Sequence, residues 1–206
     1  MSVPTVKFKD VLVSIARRCS QYNAGSIDAT VSAGLVDLFN SAMKYAWEFY
    51  LWPDALALTQ ETIIAHPDAS TARYVPRSSA TRTLATVQEI WSSDPRVLGT
   101  PTYRVSHLKE ADGLYFADAN LSTVWVRYRP APPRYTDTLW LTATAYVAGD
   151  LVLFTDGHVY KCLTAHTSGT FATDLAATKW LLVPVLACVA EPVKQGVISH
   201  FKRYQS

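Results

Sequence analysis

Residues 123–129 read Thr-Val-Trp-Val-Arg-Tyr-Arg, and the chain then meets Pro130, Ala131, Pro132, Pro133 and Arg134. Apolar and polar side chains alternate at a period of two, the signature of a strand with one buried face, and the prolines end it because they cannot donate to a ladder. Short apolar-rich runs that can pair with it precede it. The spacing predicts strands at Leu56–Ile64, Thr86–Trp91, Thr102–His107 and Gly113–Phe116, with the alternating run as Thr123–Tyr128. Asp94-Pro95 and Asp112-Gly113 supply turn signals between them. Strands this close together imply an antiparallel sheet rather than helix-linked parallel units. The intervening His66–Thr83 segment is rich in Ser, Thr and Arg and weakly patterned, and reads as a long exposed loop.

The period changes on both sides of this region. Phe8, Val11, Leu12, Ile15, Ala16 and Cys19 form an amphipathic helical stripe. After Gly25, Ser26 suits an N-cap and Asp28 a first helical turn. A second stripe follows, through Val31, Leu35, Leu38, Phe39, Ala42, Met43, Ala46, Trp47 and Tyr50, until Pro53 closes it. A last helix is expected over Val185–Tyr204, with Leu186, Val189, Ala190, Val193, Val197 and Phe201 on its inner face. Pro192 must kink it or start it afresh. Between Trp140 and Val183 lies a second β unit, in which Asp156-Gly157 separates two alternating runs as a hairpin does.

The expected fold is therefore α+β. An N-terminal helix pair and a C-terminal helix pack with an antiparallel β domain, because one-sided stripes need partners. A small β module is inserted before the last helix. Residues 1–134 and 184–206 form the main core and residues 135–183 the module.

Apolar residues make up 49% of the 206-residue chain and charged residues 17%, with 6 Trp and 11 Tyr. Few charges and many aromatics suit either a large core or a surface covered by partners. A net charge of +2 does not mark a nucleic-acid binder. The three separated cysteines, Cys19, Cys162 and Cys188, fit buried thiols in a reducing compartment. Neither a secretory leader pattern nor a membrane-length apolar run is present, so synthesis and assembly in cytoplasm are expected. His66, His107, His158, His166 and His200 are scattered without metal-ligand spacing, and Glu89 and Asp94 make no convincing catalytic pair. No enzyme activity and no cofactor are expected.

Several motifs in order resemble tailed-bacteriophage neck proteins, the head-to-tail adaptors that join portal to tail. They are Lys44–Glu48 and Leu51-Trp52-Pro53 at the second helix end, Trp91-Ser-Ser-Asp-Pro-Arg96, Asp112-Gly113-Leu114, and the Val-Trp-Val-Arg-Tyr-Arg strand. The resemblance spans nearly the whole chain. It implies a virion structural protein forming a ring, a dodecamer, under the portal. Such a ring would extend the DNA channel and dock the next neck or tail protein. The basic chain end His200, Phe201, Lys202, Arg203 and Tyr204 is the candidate portal-docking segment, and Trp52 a candidate interface residue. Arg73, Arg77, Arg82, Arg127 and Arg129 are candidates either for non-specific contact with channel DNA or for inter-subunit ion pairs.

Within the second β unit, Ala145–Val152, Gly157–Lys161 and Trp180 resemble small chitin-binding-type carbohydrate modules. Tyr146, Tyr160 and Trp180 match the aromatic positions of that pattern. They would either stack on sugar rings or form the minimal core of so small a unit. On the first option the chain would be a tail accessory protein binding host glycan.

Overall fold

The computed structural model describes residues 3–23, 26–50, 52–79 and 82–205. The chain is α+β and divides into two compact units, Met1–Asp54 with Pro132–Ser206, and Ala55–Ala131. In the first unit, β1 (Thr5–Val6) leads into α1 (Phe8–Arg18), which buries Phe8, Val11, Leu12, Ile15 and Ala16 as its stripe requires. The short strands β2 (Tyr22–Asn23) and β3 (Ser26–Ile27) pair antiparallel. They lead to α2 (Ala29–Phe49). The cap of α2 is Asp28 rather than Ser26, which lies in β3. The Asp28 carboxylate accepts from the N–H groups of Thr30 (2.9 Å) and Val31 (3.3 Å), two of the donors a helix start leaves unpaired. One face of α2 buries Leu35, Val36, Phe39, Met43 and Trp47. Tyr45, Phe49 and Tyr50 stay 70%, 78% and 55% exposed.

The second unit holds β4 (Ala57–Thr62), β5 (Ile64–His66), β6 (Ala69–Pro76), β7 (Thr86–Trp91), β8 (Leu108–Lys109), β9 (Gly113–Tyr115) and β10 (Thr123–Arg129). They form two antiparallel sheets, in the orders β4-β10-β7 and β5-β6-β9-β8. The alternation of β10 is realised as expected. Val124, Val126 and Tyr128 are buried with Val75, Ile90 and Leu114, while Trp125, Arg127 and Arg129 are half-buried on the other face.

Two expectations fail here. The supposed loop at 66–83 contains the eight-residue β6, whose place is set by backbone pairing to β5 and β9 on both sides. Among its described side chains only Tyr74 and Val75 are deeply buried, so little apolar pattern was there to read. The strand expected at 102–107 is reduced to a bridge from Arg104 to Trp91 and the short β8, because Val105 is its one inward anchor. Gly113 is needed where β9 meets β6, since a Cβ there would lie 2.3 Å from the Val75 carbonyl oxygen.

The chain then returns to the first unit. Tyr135 stacks on Phe8 (5.1 Å) and meets Phe39 edge-on (5.2 Å). Its N–H donates to Asn40 Oδ1 (2.8 Å), Asn40 Nδ2 donates back to its carbonyl (2.9 Å), and its hydroxyl donates to the Pro184 carbonyl (2.8 Å). The small β unit follows, with β11 (Ala145–Tyr146), β12 (Leu151–Leu153), β13 (Val159–Cys162), β14 (His166–Thr167), α3 (Phe171–Ala176) and β15 (Trp180–Val183). Its sheets are β11-β14 and β12-β13-β15. The Asp156-Gly157 hairpin forms as read. Gly157 sits at φ +88°, its N–H donates to the Phe154 carbonyl (3.0 Å), and its own carbonyl accepts from the Lys9 N–H (3.0 Å) at the start of α1. Helix α3 was not foreseen in its Thr/Ala/Gly-rich segment. Thr170 caps it, the side chain accepting from the Thr173 N–H.

Val185–Leu186, expected as helix, forms β16 against β1. Helix α4 (Ala187–Gln205) then runs on with Pro192 inside it. It packs on α1 and α2 through Val189, Ala190, Val193 and Val197. The two helices meet where Gly196 faces Ala42, and a Cβ at Gly196 would stand 3.4 Å from that of Ala42, in ordinary contact.

Candidate binding surfaces

The open face of α2 continues into a groove of about 650 Å³ against α4. Leu38, Ala42, Tyr45 and Phe49 line one side, and Pro192, Gly196 and His200 the other. The lining is almost wholly apolar. Trp52 closes one end, its Nε1–H donating to the Ala46 carbonyl (2.9 Å) and its ring meeting Tyr50 edge-on at 4.8 Å. Thus Trp52 and His200, singled out by separate sequence arguments, line the same groove, whereas Trp47 is buried. Phe201 is half-buried and Lys202 and Arg203 are exposed, while the Tyr204 side chain lies outside the described residues. Tyr45 and Phe49 were missed. They stack at 5.8 Å one helical turn apart, and that i, i+4 aromatic pair beside the core stripe was the available signal.

Arg73, Arg77, Arg82, Arg96, Arg104 and Arg127 are engaged within the second unit. Arg73 donates to the carbonyls of Ala119 and Leu121. Arg82 pairs with Glu61, both side chains largely buried, and also donates to the Pro76 carbonyl (2.7 Å). Arg77 reaches the Ala85 carbonyl at 3.5 Å. Arg127 lies over the Trp91 ring (4.8 Å) and bonds Glu89 (3.1 Å), a carboxylate it shares with Arg104. Arg129 is on the same face of β10. Arg96 covers Trp125 at 5.2 Å and grips Asp94 with two hydrogen bonds, which hold that carboxyl below its usual range. Turns formed by these contacts present Leu98 at 96% exposure, with Val97 and Tyr103 more than half exposed.

His66, Asp112 and Tyr115 also come together. The Asp68 N–H donates to His66 Nδ1 (3.1 Å), leaving Nε2–H to donate to Asp112 (3.0 Å). Both ring nitrogens are therefore occupied, and the cluster staples a turn.

In the small β unit, Tyr146, Tyr160 and Trp180 are all buried, with Trp180 edge-on to Tyr146 at 5.1 Å. The Tyr160 hydroxyl donates to Asp156 (2.8 Å), and burial together with that carboxylate pushes its pKa up to about 12. The Tyr146 hydroxyl accepts from the Leu141 N–H (2.8 Å). These three rings, with Phe171, Val152 and Cys162, are the core of the unit and offer no open face to a sugar. Trp140 and Phe154 are half-buried, and the exposed apolar side chains include Leu139, Leu141, Val147, Leu163 and Leu181.

A polar network holds the irregular half of this unit. Asp174 is buried and accepts from the Gly169 N–H (3.0 Å) and Lys179 Nζ (2.9 Å), with His166 Nε2 at 3.5 Å. The Lys179 bond, foremost, holds its carboxyl below the usual range. Ser168, also buried, donates to the Leu141 carbonyl (2.7 Å) and accepts from the Thr144 N–H (3.0 Å). Sequence reading missed both residues, since an isolated Ser or Asp carries no periodic signal.

Among the described residues, no group of three or more His, Cys, Asp and Glu is placed to hold a metal ion, and no helix is long and apolar enough to cross a membrane. No curated protein and no solved structure matches the chain. Residues 139–180 match the model of carbohydrate-binding module family 5/12, so the small β unit is a carbohydrate-binding-module-type insert.

Proposed function

We propose that this chain is a structural assembly protein, a head-to-tail adaptor of a tailed phage that assembles as a ring under the portal and receives the next neck or tail protein. The observation that carries this reading is the number of large apolar side chains left exposed on one small chain. Tyr45, Phe49 and Tyr50 rise from α2, Val97, Leu98 and Tyr103 from the turns after β7, and Leu139, Leu141 and Leu181 from the small β unit. Apolar surface of this kind marks contacts with other proteins, and an adaptor needs several: to its own copies, to the portal and to the tail. The order of helices and sheets, with the motifs at Trp91–Arg96 and in β10, supports the same reading. It is tested by mixing the purified chain with the portal protein from the same genome and imaging the product. The reading expects rings of the chain on one end of the portal, and portals left bare would refute it.

A second reading is favoured by the match at residues 139–180: the insert binds host glycan. With Tyr146, Tyr160 and Trp180 buried, sugar would have to meet the half-buried Trp140 and Phe154 instead. Retention of the full chain on chitin, lost in Trp140→Ala, would support it. Passage of the unaltered chain through chitin and a panel of bacterial cell-wall polysaccharides would remove it.

A further inference from the structure

We propose that the open face of α2 is a contact between two copies of this chain, with the two helices antiparallel across a two-fold axis near Ala46 and Trp47. The proposal goes beyond the adaptor reading, which counts this same face among its surfaces, and it concerns the chain alone in solution. Ser41, Lys44, Tyr45, Glu48 and Phe49 are all exposed, at the i, i+3, i+4, i+7, i+8 spacing of one helical stripe. This stripe carries both halves of a contact. The stacked Tyr45 and Phe49 form a ridge, and the groove toward α4 beside them, about 650 Å³, is apolar. A two-fold contact needs such a self-complementary patch, because each surface meets its own copy.

Two arguments name a second copy as the occupant. The first is charge. Lys44 and Glu48 are the exposed charges flanking the ridge, and neither makes an ion pair among the described residues. In an antiparallel pair centred near residue 46–47, Tyr45 lies over the other copy's Phe49. Lys44 then lies within about two residues, or ~3 Å along the axis, of the other copy's Glu48. Symmetry makes that pair twice. The second is area. Large aromatic side chains bury about 150–250 Å² each, so covering Tyr45, Phe49 and Tyr50 at their observed exposures removes roughly 400 Å² per copy. A standard interface takes about 800 Å² per partner, so the three rings supply about half of one, which suits a weak, concentration-dependent dimer. The contact closes on two copies, unlike the heterologous contact a ring requires.

Sedimentation of the full chain over a range of concentrations tests the proposal. The unaltered chain should reach the mass of a dimer. A Tyr45→Ser, Phe49→Ser variant should stay monomeric with an unchanged circular dichroism spectrum, since both side chains are exposed. Lys44→Glu and Glu48→Lys should each weaken dimerisation roughly tenfold, and the variant carrying both should regain it, because the reversed charges again face their opposites across the axis. A monomer at every concentration would overturn the proposal. So would a dimer insensitive to the serine variant, or a double reversal no better than either single change.

Discussion

Tyr135 concentrates three kinds of interaction in one side chain. It is buried against Phe8 and Phe39, its backbone exchanges hydrogen bonds with Asn40, and its hydroxyl satisfies the Pro184 carbonyl. Truncating a large buried ring costs about 3–5 kcal/mol, so Tyr135→Ala should lower chemical-denaturation stability by that amount. Tyr135→Phe removes only the hydroxyl and should cost about 1 kcal/mol, the net worth of one hydrogen bond. Equal losses in the two variants would mean that the ring is not packed as described. Asp174 makes a prediction in pH. Its carboxyl is held below the usual range in the folded chain, so its stabilising contribution is present above the unfolded value of about 3.9 and is lost as pH falls through the folded value. Melting temperature should drop in that acid window, and the drop should be shallower in Asp174→Asn. An unchanged acid profile in Asp174→Asn would show that Lys179 and Gly169 do not hold the carboxylate.

At the scale of elements, the caps and turns hold most of what can be tested simply. Asp28→Ala should cost about 0.5–2 kcal/mol through the lost bonds to Thr30 and Val31, measured by thermal melting, while Ser26→Ala should leave α2 stable. Gly157→Ala places a side chain at φ +88° and 3.3 Å from Lys9 Cβ, and should cost about 1–3 kcal/mol. The elements legible in the sequence were those whose periodicity came from burial. Helix α1, the buried face of α2, the alternation of β10 and the Asp156-Gly157 hairpin all carry their pattern locally. Strand β6 did not, because neighbouring strands hold it through the backbone, and of its described side chains only Tyr74 and Val75 are buried. Helix α3 was hidden in a segment of small residues and is fixed by the Thr170 cap and the buried Phe171. The binding surfaces were legible in part. Trp52 and His200 were found, but that they line one groove depends on how α4 crosses α2 at Gly196, which no local pattern encodes.

At the scale of the whole molecule, the chain joins a helical unit carrying a carbohydrate-binding-module-type insert to a β unit most of whose arginines are tied to its own carbonyls and carboxylates. The low charge content left two sequence readings open, a large core or a partner-covered surface, and the structure holds both a core and exposed apolar side chains. The core is ample, yet Tyr45, Phe49, Leu98 and several leucines remain in water. Leu98 is almost wholly exposed, so its side chain contributes little to folding. Leu98→Asp should therefore leave thermal stability within about 0.5 kcal/mol of the unaltered chain while impairing one assembly contact, read as loss of portal-bound protein in a pelleting assay. Imaging the full chain with the portal protein of its own genome shows whether these surfaces serve assembly. Closed rings of the chain, seated coaxially on the portal, are expected. Bare portals beside unassociated chain, at concentrations where the chain is folded, would contradict the adaptor reading.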